Sequence, residues 1–142
     1  MYFCAATITV KQLFSTGDTK IFEKRVSESD LASFESGTVH QVYGTFALGR
    51  DAEWSSRLFV LEMKEDDEEG IGTFLNITHH SPALPGQTVR FTAVITLLEK
   101  NKIDCKVTAT VGDRVIAECE TGQKIIKKEK LDALFQTLQQ NR

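Results

Sequence analysis

Hydrophobic and polar positions change their period twice along this chain. Tyr2 to Phe14 is rich in β-branched and aromatic residues and reads as a strand, and Gly17-Asp18 marks a turn after it. Ile21 to Val26 is a second extended stretch. Ser27 and Asp30 have the offset of a capping box, with Asp in place of Glu, so a short helical turn is predicted from Ser27 through Phe34, broken at Gly37-Thr38. From Phe46 to about Met63 the spacing becomes helical. Ala47, Leu48, Ala52, Trp54, Leu58, Phe59, Leu61 and Met63 recur at three and four residues and wrap much of the circumference, which predicts a deeply buried helix. Gly49 within it costs helix propensity and points to close packing at that turn.

The run Glu65-Asp66-Asp67-Glu68-Glu69 suits neither a helix C-terminus nor a buried site, and a solvated loop is expected there. Beyond it the period is two. Ile71, Thr73, Leu75 and Ile77 share one face of a strand; Val89, Phe91, Ala93, Ile95 and Leu97 share a face of the next; Ile103, Cys105, Val107, Ala109 and Val111 share a face of a third. Val115, Ala117 and Cys119 continue after a turn at Gly112-Asp113-Arg114. A three-residue loop is expected, since a two-residue loop opposes Val111 with Arg114; the same register puts Val107 opposite Cys119 and Cys105 opposite Thr121. Leu131, Leu134, Phe135 and Leu138 form one stripe of a C-terminal amphipathic helix, placed on the sheet surface or against a partner subunit.

Strands, one long apolar helix, then four antiparallel strands argue for α+β rather than alternating α/β. One apolar helix and a sheet with one apolar face bury each other if the sheet wraps the helix. This is the hotdog arrangement, and residues 1–142 are read as a single hotdog domain. With 41% hydrophobic and 26% charged residues the composition is that of a globular protein, and a net charge of -3 gives no basic footprint for nucleic acid. No apolar run reaches membrane-spanning length, and no signal-peptide pattern opens the chain, so a cytoplasmic protein without membrane partners is expected. Cys4, Cys105 and Cys119 have neither disulfide nor zinc spacing and read as small buried residues.

The candidate chemistry lies around two histidines and one acid. Pro82 and Pro85 stiffen the segment that follows His79-His80. His79 has the parity of Leu75 and Ile77 and faces the helix side, whereas His80 faces away, so the pair does not clasp one metal ion. The helix opposite carries Glu53, a carboxylate on an apolar helix that calls for a partner. Thr45 stands just before the helix, where its hydroxyl could cap it. Main-chain N–H groups near Ala47 to Gly49 are suited to bind an oxyanion. No Gly-x-Ser-x-Gly elbow is present, so Ser55 and Ser56 are weak nucleophile candidates.

At these residues the chain resembles the fluoroacetyl-CoA thioesterase-like family of the hotdog superfamily. The shared pattern is Thr45, Glu53 eight residues later, Gly72, His79 seven residues beyond that, then Pro82 and Gly86; the similarity spans about Phe22 to Ile126. The chain departs from the family pattern at Phe46, where a proline usually follows the threonine, and in the position of its second proline. The resemblance implies hydrolysis of an acyl-CoA to free acid and CoA, with Thr45, Glu53 and His79 as the catalytic group. Phe46, Gly72, Pro82 and Gly86 fall to substrate binding, and Phe46 flanks the acyl pocket. The resemblance further implies a homodimer or higher homo-oligomer with sites near the interface, and neither a separate cofactor nor a metal is expected. Glu53 would activate water or attack directly, His79 would move protons or donate to the carbonyl, and Thr45 would be nucleophile or orienter. A non-catalytic acyl-CoA-binding or regulatory hotdog module is the alternative, and a hydratase-like hotdog enzyme a third reading. Lys124, Lys127, Lys128 and Arg90 are candidate contacts for the CoA phosphates.

Overall fold

The computed structural model describes residues 10–141. The chain runs β1 (Thr19–Arg25), a 3-10 turn (Glu28–Asp30), β2 (Leu31–Phe34), β3 (Gly37–Tyr43), α1 (Thr45–Met63), β4 (Glu68–His79), β5 (Thr88–Glu99), β6 (Lys102–Val111), β7 (Arg114–Lys127) and α2 (Lys128–Gln140). Five strands form one antiparallel sheet in the order β1-β5-β6-β7-β4, while β2 and β3 make a separate hairpin. The sheet packs its apolar face on α1. Leu48, Ala52, Phe59, Val60 and Met63 meet Phe91, Ala93, Ile95, Val107 and Ala109 in one buried cluster. This is the hotdog fold read from the sequence.

Helix α1 begins one residue before the expected start, and only one side of it is sealed. Trp54 and Leu61 are exposed, so the helix is less enclosed than its apolar content suggests. Gly49 does mark a close approach: a Cβ there would lie 2.5 Å from the Ile77 side chain of β4. The Ser27–Asp30 capping box forms, but the helical turn stops at Asp30 and the chain enters β2, because Leu31–Phe34 finds a strand partner in β3. The N-terminal strand is expected over Tyr2 to Phe14; residues 2–9 lie outside the described residues, and residues 10–14 adopt no strand.

Three bulges shift the strand faces of the five-stranded sheet. In β4, Gly72 pairs with Gln123 but Phe74 with Gly122, so Thr73 is an extra residue. The parity reverses there. Gly70 and Gly72 face the helix before the bulge and Leu75 and Ile77 after it, so Ile71 does not share their face as expected. A bulge at Thr96 in β5 brings Leu98 onto the core. In the β6–β7 hairpin the turn has two residues, and Val111 does oppose Arg114; a bulge at Ile116 then restores the expected pairs Val107–Cys119 and Cys105–Thr121. Cys105 and Cys119 are free and buried. Burial pushes the Cys105 thiol up to about 12 and that of Cys119 to about 11.

The acidic run is not a uniform solvated loop. Glu68 and Glu69 open β4, and Glu68 is buried, its carboxylate accepting the Glu65 N–H at 2.8 Å with Lys127 Nζ 3.7 Å away. Helix α2 buries none of its residues, and Leu134, Phe135 and Leu138 stay open. Among the described residues no helix is long and apolar enough to cross a membrane.

Candidate active site

The start of α1 and the end of β4 bring Thr45 and His79 together. Gly44 is the N-cap residue and Thr45 the first of the helix, with no side-chain cap. The Thr45 hydroxyl is therefore not the capping group that its position suggested. It lies 3.0 Å from His79 Nδ1 instead. His79 Nε2 is buried and has no hydrogen-bond partner among the described residues. Burial holds the His79 imidazole below its ordinary 6.5 and His80 adds to this, while the Ser81 main chain opposes it. The ring is therefore neutral near pH 7. A buried ring nitrogen without a protein partner is costly unless something else satisfies it.

The helix start is anchored from below. Asp30, fully buried, accepts hydrogen bonds from the Ser27 N–H at 3.0 Å, the Ser27 hydroxyl at 2.9 Å and Arg50 Nη2 at 2.9 Å. Burial alone would raise its carboxyl, but Arg50, Ser27 and Lys24 outweigh that and hold it at about 2. Arg50 also binds Asp51, whose carboxylate accepts the buried Tyr43 hydroxyl. The Asp30 carbonyl receives the Gly44 N–H at 2.8 Å. This network fixes the turn from which Thr45 projects. The Leu48 N–H is spent on the Gly44 carbonyl. The donors without an intrahelical acceptor are thus those of Thr45, Phe46 and Ala47, two residues earlier than the expected Ala47–Gly49.

Glu53 stands elsewhere. It lies eight residues along α1 from Thr45, about 12 Å at the helical rise. Its carboxylate rests against Gly72, where a Cβ would meet Oε2 at 3.3 Å. Gly72 is seven residues before His79 on β4. The described chain therefore joins Thr45 with His79 and Glu53 with Gly72, as two separate pairs. Ser55 and Ser56 are buried and donate to the Ala52 and Glu53 carbonyls, and Ser56 also accepts from Thr121 and Gln123. His80 turns to the outer face, with its Nε2 3.0 Å from Glu118. Among the described residues no three His, Cys, Asp or Glu side chains converge as a metal site.

Phe46 is 76% exposed and meets Phe34 edge-on, ring centroids 5.8 Å apart. Both line a cavity of about 300 Å³ beside Thr45, together with Leu31, Val39 and Ala47. A larger cavity of about 430 Å³ lies between β7 and α2, lined by Ile125, Lys127 and Ala133, at the opposite end of β7 from Ala117, the ladder partner of His79. Lys124, Lys127 and Lys128 sit at that far end, and Lys127 pairs with Asp67 at 2.9 Å. Arg90 pairs with Glu23 at 3.2 Å. The Pro82 carbonyl accepts a hydrogen bond from Arg114, and the Gly86 N–H binds the Val26 carbonyl.

The fold is that of the hotdog thioesterases. The family model of the fluoroacetyl-CoA-specific thioesterase matches residues 26–129, and the chain belongs to that family. It is an enzyme that hydrolyses CoA thioesters. A Thermus thermophilus protein of the thioesterase superfamily is 32% identical over 92% of this chain and 96% of its own, with a TM-score of 0.86. A mutant of the fluoroacetyl-CoA-specific thioesterase FlK, in complex with fluoroacetate and CoA, shares the fold at 22% identity, covering 83% of this chain and 99% of that one, TM-score 0.77. A hot-dog-like protein from Thermanaerovibrio acidaminovorans shares it at 17% identity, 89% and 93% coverage and TM-score 0.81. No curated protein matches the chain.

Proposed function

We propose that the protein hydrolyses acyl-CoA as a homodimer, each site built from Thr45 and His79 of one chain and Glu53 of the partner subunit. The observation that carries this is the separation of the two residue pairs along the outermost strand. β4 ends the sheet, its residues 72–76 are exposed, and from Gly72 to Thr78 it carries no charge or proline to discourage pairing. Two such edges paired antiparallel about a dyad near Asn76 bring Gly72 of the partner subunit within a residue of His79. The Glu53 carboxylate that rests on Gly72 travels with it.

The chemistry follows from that union. In this scheme the neutral His79 ring carries its proton on Nε2, with the Thr45 hydroxyl donating to Nδ1, and offers that proton to the thioester carbonyl oxygen. Glu53 takes a proton from water as the water oxygen bonds to the carbonyl carbon. The tetrahedral oxyanion is held by Nε2–H and by the N–H groups that open α1. Collapse breaks the carbon–sulfur bond, and the protonated Glu53 carboxyl returns its proton to the departing CoA thiolate. The cavity beside Thr45, with Phe34 and Phe46 at its rim, takes the acyl group; Gly72, Pro82 and Gly86 border the path of the pantetheine arm. CoA itself is part of the substrate, and no separate cofactor enters the scheme.

Free-thiol release from acetyl-, butyryl-, hexanoyl- and benzoyl-CoA tests this reading. Release that disappears in E53Q supports it. Tight binding of every ester with no release would make the protein a non-catalytic acyl-CoA-binding module.

A further inference from the structure

The loop that follows His79 is held by the corner of the neighbouring hairpin, and we propose that Arg114 is a positioning residue for His79. The proposal rests on the assignment of His79 to the site. The bulge at Ile116 makes the corner. Ala109 pairs with Ala117 and Thr110 with Val115, so Ile116 has no partner in β6. Ile116 and Ala117 are both buried, although they are consecutive in a strand. The Ile116 carbonyl points instead at the loop and accepts the N–H groups of His80 at 2.7 Å and Ser81 at 3.1 Å. A bulge that re-aims groups beside a site is a recurring device. Here it ends β4 at His79, whose ladder partner is Ala117.

Arg114 completes the hold. It follows the Gly112-Asp113 turn, opposite Val111, and reaches across to the loop. One terminal nitrogen, Nη1, donates to Ser81 Oγ at 2.5 Å and to the Pro82 carbonyl at 2.6 Å. Both hydrogen bonds go to this loop rather than to a carboxylate. Pro82 and Pro85 stiffen the segment, but stiffness does not decide where it points. The bonds from Ile116 and Arg114 hold its first residues, His80 to Pro82, and further along the Ala83 carbonyl accepts the Tyr43 N–H at 2.9 Å and the Gly86 N–H binds the Val26 carbonyl.

The His79 ring depends on the outcome. Its side-chain partner among the described residues is Thr45 at 3.0 Å, on a different element, and its other nitrogen is buried without one. The Ser81 main chain is the neighbour that raises the proton affinity of the ring. Displacing Ser81 therefore moves the ring against Thr45 and changes its surroundings together. Main-chain bonds at Ile116 survive substitution, whereas the Arg114 bonds do not.

The test uses the full chain as wild type, R114A, R114K and S81A, with ring-labelled histidine and the four acyl-CoA esters named above. The three histidine ring signals are assigned with H40Q, H79Q and H80Q. In R114A, kcat should fall by about tenfold to 10²-fold, the scale of a misplaced catalytic group. KM should stay within about twofold, because Arg114 binds no substrate. S81A should lose less in the same direction. R114K should recover most of the rate, since a single nitrogen serves both acceptors. The His79 ring signals and titration midpoint should move in R114A and return in R114K, with those of His40 unchanged. Unmoved His79 signals in R114A would overturn the proposal, as would a salt-sensitive rise in KM at constant kcat, which marks a phosphate contact. The ring readout does not need turnover. If the wild type released thiol from none of the esters, the functional reading would fail while a moved and rescued His79 signal still upheld the clamp.

Discussion

Thr45 Oγ1 and His79 Nδ1 stand 3.0 Å apart, although 34 residues separate them along the chain. The contact ties the imidazole to the helix start, and Nε2 is buried without a hydrogen-bond partner among the described residues. Serine retains that hydroxyl and valine removes it at nearly constant volume. T45S should keep most of the turnover, and T45V should lose on the order of 10- to 10²-fold in kcat, the scale of a misoriented group. Steady-state kinetics on both variants, beside their melting temperatures, separate an orienting role from a structural one.

The His79 ring should set the acid limb of the rate profile. Burial first, and His80 second, place its proton affinity below the ordinary 6.5. The neutral form is the one the proposed mechanism uses, so kcat/KM should fall as pH drops through the folded value, which lies below 6.5. The stability sign follows from linkage: the unfolded chain protonates His79 before the folded one does. Its contribution is therefore present above 6.5 and is lost as pH falls through the folded value. Replacing His79 by alanine should remove the part of the acid limb that the imidazole sets and leave the part that the Glu53 base requires, which a pH–rate series on both proteins measures.

Asp30 should matter for stability rather than for chemistry. It gathers bonds from Ser27 and Arg50 beneath the start of α1. D30N keeps the shape but loses the charge, and charge-assisted hydrogen bonds of this kind contribute roughly 2 kcal/mol. The same carboxyl, held at about 2, contributes stability that is present above the ordinary carboxylate range and lost as pH falls towards 2. Chemical denaturation of D30N and wild type at neutral pH and at acid pH should show a gap that narrows as pH falls.

How much of this was legible in the sequence depends on which signal carried it. The helix over Thr45–Met63 and the alternating strands were legible because apolar period survives in the sequence wherever one face is buried. Bulges erase that signal. Thr73 reverses the parity of β4, so Ile71 and Leu75 look like one face and are not; Ile116 does the same in β7 and conceals the two-residue turn before Arg114. Glu68 looked like part of a solvated acid run, yet it is buried where it accepts the Glu65 N–H and meets Lys127, a partner 59 residues later. Asp30, Asp51 and Arg50 were missed for the same reason, since their partners are assembled by the fold. The Ser27–Asp30 offset was the one local trace of that network. Thr45, Glu53 and His79 stood out as a group through the family resemblance that their spacing carries, but the resemblance does not say that Thr45 meets His79 while Glu53 rests on Gly72.

The open edge of β4 leads to a prediction about assembly. Asn76 lies near the dyad proposed for the paired edges, so a lysine there would face its own copy. Like charges directly opposite each other across a strand pair are destabilising. N76K should shift the protein towards monomer at micromolar concentration and lower turnover in proportion to the dimer lost. Light scattering with activity measured over a dilution series checks both. A monomeric wild type of full specific activity would contradict the paired-edge arrangement.

The most direct measurement is complementation between two inactive variants. E53Q removes the carboxylate and H79A the imidazole, and loss of such groups costs typically ~10²–10⁴-fold. If Glu53 serves the His79 of the partner subunit, a mixed dimer of the two variants contains one intact site and one doubly defective site. Random exchange makes half of the dimers mixed, so an equimolar mixture should regain about a quarter of the wild-type rate in a two-fold symmetric dimer. Recovery should follow the time course of subunit exchange, read independently from the mass of a tagged heterodimer. Demonstrated exchange with no recovered thiol release would contradict the account and return Glu53, Thr45 and His79 to a single chain.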